Sequence, residues 1–302
     1  MLDNESLYRQ SMLKYFLDMP TTYAHWRFGD DCIKTLPDQL QNAIHHHRDL
    51  YDLGVHGPDI FFYDLIHKEV SRYGSAMHHQ PAKGFFENCV KVLNEEPEDK
   101  EAMLSYILGF LSHYTLDSQC HGYINRKDAV SSDLSHNKIE AEYDAHMMKL
   151  DGRNVAMTDR AQSLRPSRKN AAIIARFFPF SGRQVYQTCF DQRFIISGLN
   201  CRSDFKRKNL ASILQRLGLP HYRDLIVPVE EHPSCKDSNR RLDKLRAYAL
   251  ELYPKLAENL MESVEGKSEL CAYFDRDFDP EDERIQVLPY EEELKYIPEK
   301  DI

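Results

Sequence analysis

PEDKEAMLSYILGFLSHYTLDSQCH, residues 97–121, reads as one helix. Acidic residues follow Pro97, where a helix start favours them, and Met103, Ile107, Phe110 and Leu111 recur with helical spacing. On the same stretch Gly109, His113, Asp117 and His121 stand four residues apart. Each such step turns a helix by about 400°, so successive side chains sit only about 40° apart. Three residues of metal-ligating type therefore share one face. Beside an apolar stripe they are costly to bury unless something satisfies them, and a divalent cation does so.

A second pair, His136 and Glu140, follows Ser135 at the same spacing. Imidazole and carboxylate are common zinc ligands, and i, i+4 placement lets both reach one ion. Working outward, the upstream candidates are His25 in TTYAHWRFGDD, Asp59 in LGVHGPDIFFYD, and His78 or His79 in GSAMHHQPAKGFF. Each lies beside glycine, proline or aromatic residues, as a polar group held in a tight loop or helix end would. The tract His45-His46-His47 is not a candidate, because adjacent helical positions diverge by about 100°.

The rest of the chain supports an all-α fold. Strand and hairpin signals are sparse, whereas helical ones recur. Pro37 opens a helical run to about Tyr51 that Gly54 closes. Ser135 caps a helix through Ala145, and residues 237–264 form another, while Gly57-Pro58 and Gly122–Leu134 read as loops. Twelve of the fourteen histidines precede residue 151. The expected organisation is a single multi-helix domain: an N-terminal extension (1–20), a metal-ligand core (21–150), a helical remainder (151–274) and an acidic C-terminal segment (275–302).

At a formal charge of -9 the whole molecule is not an electrostatic partner for nucleic acid or an anionic membrane. Residues 153–218 depart from this, with thirteen Lys/Arg against three Asp/Glu. They read as solvated helix faces or as a basic rim for a phosphate-bearing substrate. Residues 1–20 lack the pattern of a secretory signal, and no stretch has the length of a transmembrane helix. The seven scattered cysteines, none in a C-x-x-C pair, suit free thiols in a reducing compartment. The expectation is a cytoplasmic protein.

The order His, Asp, His, then H-x3-D-x3-H, then H-x3-E resembles the zinc-dependent phospholipase C family, whose fold is shared with the fungal single-strand-specific nucleases. The resemblance is strong over residues 21–150. It implies zinc ions lining a cleft between helices. Asp59, His78, His113 and Asp117 would surround one, and His121, His136 and Glu140 a second. His25, with Asp117 bridging, would contribute to a third. The distance from His78 to Phe85-Phe86 favours it over His79. Secreted relatives complete the third site with an N-terminal tryptophan, whereas Trp26 here is internal. His56 stands where relatives carry glutamine.

The resemblance implies phosphodiester hydrolysis by metal-activated water, with Asp59 as the proton acceptor. Phe61, Phe62 and Tyr63 are read as helix-packing residues, the alternative being that they line the substrate cleft. A phospholipid, another phosphodiester or a nucleic acid presents the same phosphate to the metals, so the ligands do not choose among these substrates. A non-catalytic helical binding protein that keeps zinc for folding is the alternative. An HD-type phosphohydrolase needs an adjacent His-Asp pair, which the chain lacks.

Overall fold

The computed structural model describes residues 22–64 and 66–300, and among them there is no β-strand. The expected extension over residues 1–20 lies outside the described residues. The organising element is a helix of 31 residues, Lys100–Val130 (α6), with α1 (Tyr23–Ile33), α2 (Asp38–His46), α3 (Arg48–Gly54), α4 (Lys68–His78) and α5 (Lys83–Glu95) before it. α7 (His136–Leu150), α8 (Arg168–Ile174), α9 (Gly182–Leu199), α10 (Asp204–Arg216), α11 (Pro220–Asp224), α12 (Lys236–Val264) and α13 (Tyr290–Glu293) follow it. α6 is buried around its whole circumference from Tyr106 to Ser118, as befits the central helix of a bundle. α3 packs on one side of it and α12 on another.

The closest crossing explains two glycines. A Cβ on Gly54 would lie 2.2 Å from the Tyr106 carbonyl oxygen, and one on Gly109 2.3 Å from that of Tyr51. Gly54 is therefore the last residue of α3, kept small for contact with α6, and does not stop a single long run. The run expected from Pro37 to Tyr51 is two helices, broken at His47. Gly57-Pro58 likewise opens a 3-10 helix, Gly57–Tyr63, in place of a loop.

The loop expected over Gly122–Leu134 is largely helix, since α6 continues to Val130. Gly122 does not end the helix; it makes room for Pro280 and Ile285, which a Cβ would meet at 3.5 and 2.9 Å. Further on, Lys127 donates to Asp237 at 2.6 Å and ties this last part of α6 to α12. The helix after Ser135 is capped as expected, the Ser135 hydroxyl accepting from the Lys138 N–H, but it runs to Leu150.

One cluster of buried apolar side chains extends from Tyr23 to Phe278. Residues 271–296 cross the bundle as a strap. The Ala82 N–H donates to the Arg276 carbonyl, and Phe278 is buried against Phe110 and Tyr114. Farther along, Arg241 pairs with Glu293 at 2.6 and 2.9 Å, both buried, and its guanidinium lies 3.4 Å over the Tyr296 ring. The acidic C-terminal segment is thus held in part by a cation on α12.

In the basic midsection Arg160 is buried beside Asp144, while Arg193, Arg202, Lys206 and Lys208 are exposed. All seven cysteines are free, and six are buried. Among the described residues no helix is long and apolar enough to cross a membrane.

Candidate metal centre

α6 presents His113, Asp117 and His121 on the face its spacing dictates, and four other elements converge on that face. The 3-10 helix brings Asp59, its position next to Gly57 being critical. Gly57 has φ +50, in the left-handed region, and a Cβ there would sit 2.1 Å from the His113 ring. α4 ends on His78, α1 carries His25 in its first turn, and α7 starts with His136 and Glu140. All eight side chains are buried, none more than 5% exposed.

They form two groups. Ligand atoms of Asp59, His78, His113 and Asp117 lie within 4.8 Å of one another, and so do those of His121, His136 and Glu140. In the first group His78 Nε2 is 2.9 Å from Asp59 Oδ1, and His113 Nε2 is 2.7 Å from Asp117 Oδ2 and 3.6 Å from Asp59 Oδ1. The Nδ1 of His78 faces the Gly74 carbonyl at 2.8 Å, which fixes the ring with Nε2 inward. In the second group Glu140 Oε1 lies 3.3 Å from His121 Nε2 and 3.4 Å from His136 Nε2.

Asp117 joins the groups. Its Oδ1 is 3.5 Å from His121 Nε2 and 3.3 Å from His25 Nε2. His25 stacks on His113 and reaches Asp117, but no further ligand-type side chain completes a third group with it among the described residues. His79 points elsewhere, toward Asp279 at 3.9 Å, so His78 is the residue in the cluster. His56 is fully buried near Ser163, outside both groups. Phe61 and Tyr63 are fully buried, and Phe62 borders the centre, its ring 5.0 Å from that of His78.

The charge balance of the cluster is uneven. Burial raises the Asp117 carboxyl, but His113, His121 and His25 more than offset it and hold it well below the usual range. Glu140 is likewise lowered to about 2, its burial outweighed by His136 and His121. Burial lowers His121, yet Asp117 and the carboxylates of Asp279 and Glu140 carry it well above its ordinary value.

The donor set fits zinc. His113 Nε2, Asp59 Oδ2 and Asp117 Oδ2 are buried without an aligned hydrogen-bond partner. Such atoms are expensive to bury, and they converge where a divalent cation satisfies them. A cavity of about 20 Å³, lined by His25, Asp117, His121, Glu140 and apolar neighbours, has room for a single water-sized atom.

Three contributors escaped the sequence reading. Asp279, on the strap, lies 3.3 Å from His121 Nδ1, and Asn125, one turn past His121, contacts both Asp279 and His136. Asp144 holds the start of α1, its carboxylate accepting from the N–H groups of Thr22, Tyr23 and Ala24 at 3.3, 3.1 and 2.7 Å. Asp144 continues the four-residue step of His136 and Glu140, whereas no regular spacing relates Asp279 to the ligands.

No curated protein and no solved structure matches the chain. Residues 24–179, just over half of it, match the family described as zinc dependent phospholipase C, and the match takes in all eight side chains of the centre. With the ligand order on the bundle and the two buried groups in place, the chain belongs to the zinc-dependent phospholipase C family.

Proposed function

We propose that this chain is a zinc-dependent hydrolase that cleaves the phosphodiester of a phospholipid head group. The convergence of buried imidazole and carboxylate atoms in two adjoining groups carries the reading. Asp59, His78, His113 and Asp117 would hold one zinc, and His121, His136 and Glu140 another. Zinc there supplies a Lewis acid for phosphoryl oxygens and makes water a nucleophile near neutral pH.

The side chains divide the remaining work. Asp59 would hold zinc through one carboxylate oxygen and leave the other to accept a proton from water. The Gly74 carbonyl keeps His78 from turning, and Phe278 and Phe62 exclude solvent on the strap side. The family supports a phospholipid-type substrate. So do the exposed apolar side chains Phe190 and Phe194 on α9 and Phe205 and Ile213 on α10, and the exposed cations Arg193, Lys206 and Lys208 of the same two helices. Apolar side chains together with cations suit an anionic bilayer.

One observation favours a second reading, in which zinc serves folding alone: the ligands are enclosed, and the cavity beside them admits a water but not a head group. Hydrolysis requires an opening to the centre wider than that cavity. The test is a zinc-loaded screen of a soluble phosphodiester, phosphatidylcholine vesicles and single-stranded DNA side by side. Release of phosphocholine from vesicles is expected, with Phe194→Ser and Phe205→Ser lowering that rate but not soluble hydrolysis. Cleavage of DNA alone would give a nuclease-type enzyme, and inertness toward all three would give the folding role.

A further inference from the structure

The two histidines of the second group both turn Nε2 toward Glu140, so what lies behind their Nδ1 atoms decides whether they stay turned. Behind His121 is Asp279, with Oδ1 3.3 Å from Nδ1, close enough to pair although not aligned as a hydrogen bond. The same Oδ1 accepts from Asn125 Nδ2 at 2.6 Å, and Asn125 Oδ1 faces His136 Nδ1 at 2.9 Å. One carboxylate thus stands at the head of a chain that reaches both imidazoles.

Asp279 is itself fixed from the first group. Its own N–H and that of Phe278 donate to the carbonyl of His78 at 3.1 and 3.2 Å, and the Phe278 ring lies 5.8 Å from the His78 ring. It also lies outside residues 24–179. Metal-bound imidazoles are commonly held by a carboxylate on the opposite ring nitrogen, which sets the tautomer and strengthens the ligand.

We propose that Asp279 is a positioning residue for the second metal site, orienting His121 directly and His136 through Asn125. The inference rests on the assignment of zinc to these groups. The C-terminal strap is then part of the metal centre's frame, and its arrival completes the site that α6 and α7 begin.

The experiment compares full-length wild type with Asp279→Ala, Asp279→Asn, Asn125→Ala and Glu293→Ala, the last loosening the strap away from the centre. Zinc affinity is read by competition with a chromophoric chelator, geometry by the visible spectrum of the Co²⁺-loaded protein, and fold by melting of the zinc-free protein. Asp279→Ala is expected to weaken one zinc equivalent by about 10- to 100-fold and to shift the cobalt bands, with zinc-free melting close to wild type. Asp279→Asn, which keeps an acceptor oxygen, should recover most of the affinity, and Asn125→Ala should show a smaller loss.

Wild-type affinity and an unchanged cobalt spectrum in Asp279→Ala would overturn the proposal. So would an equal loss in Glu293→Ala, since any loosening of the strap would then suffice. Wild-type protein that retains no zinc would instead overturn the metal assignment, and this inference with it.

Discussion

The imidazoles of His25 and His113 are stacked, centroids 4.5 Å apart with 25° between their planes, and both reach the carboxylate of Asp117. Two imidazolium rings so placed repel each other. Their proton affinities diverge accordingly: burial lowers His25, whereas Asp117 and Asp59 outweigh burial at His113 and raise it. Asp117 is the anion on which the whole face of α6 depends.

Asp117→Asn is therefore expected to strip the centre. Metal analysis of wild-type protein should find about two to three equivalents of zinc, and the variant about one or none. Zinc-dependent hydrolysis should vanish with them. Full zinc content in the variant would contradict the shared role of this carboxylate.

Gly57→Ala should be among the most damaging small changes in the chain. The new methyl group would overlap the His113 ring and force an alanine into positive φ. A loss of about 2 to 4 kcal/mol in urea unfolding of the zinc-free protein is expected, overpacking and backbone strain combined. Wild-type stability would mean that the 3-10 helix shifts freely.

Asp31 carries a pH signature away from the metals. Burial raises its carboxyl, but hydrogen bonds from Arg27, Lys34 and Arg246 more than reverse this and hold it well below the carboxylate range. A depressed folded value means that its stabilisation is complete above the unfolded value near 3.9 and is lost as pH falls below it. Asp31→Asn should thus cost about 2 kcal/mol at pH 7 and progressively less below about pH 4, as denaturant melts across that range would show.

Glu293→Ala leaves the Arg241 guanidinium buried without its carboxylate. Removing one partner of a buried pair costs about 3 to 5 kcal/mol. The strap should loosen first, so that amides of residues 288–296 exchange faster while those at the middle of α6 hardly change. Uniform protection along the chain would refute this local opening.

Five of the eight candidate ligands were legible because helices impose a period. His113, Asp117 and His121 declare a shared face through four-residue steps, and His136 with Glu140 repeats the device. The upstream three were legible by their order and neighbours alone. Asn125 and Asp144 continue the four-residue steps of His121 and Glu140, but the rest of what escaped lacks any period. Gly54 and Gly122 look like helix ends in sequence, yet each is a point of close contact between elements far apart in the chain. Asp279 lies 139 residues beyond Glu140 in a segment whose acidity masks it among other carboxylates. The enclosure of the centre was equally hidden, because it depends on where the strap lies across the bundle.

The three amides that Asp144 accepts belong to the helix of His25, and Asp144 itself is one turn from Glu140. The hold on α1 is thus built into the helix that bears a ligand of the other group. Pulling α1 away exposes three N–H groups and a buried carboxylate at once, a cost that couples the two helices into one opening unit. Deuterium uptake at Thr22, Tyr23 and Ala24 becomes a gauge of how often the Glu140 helix breathes, readable without any metal in the protein.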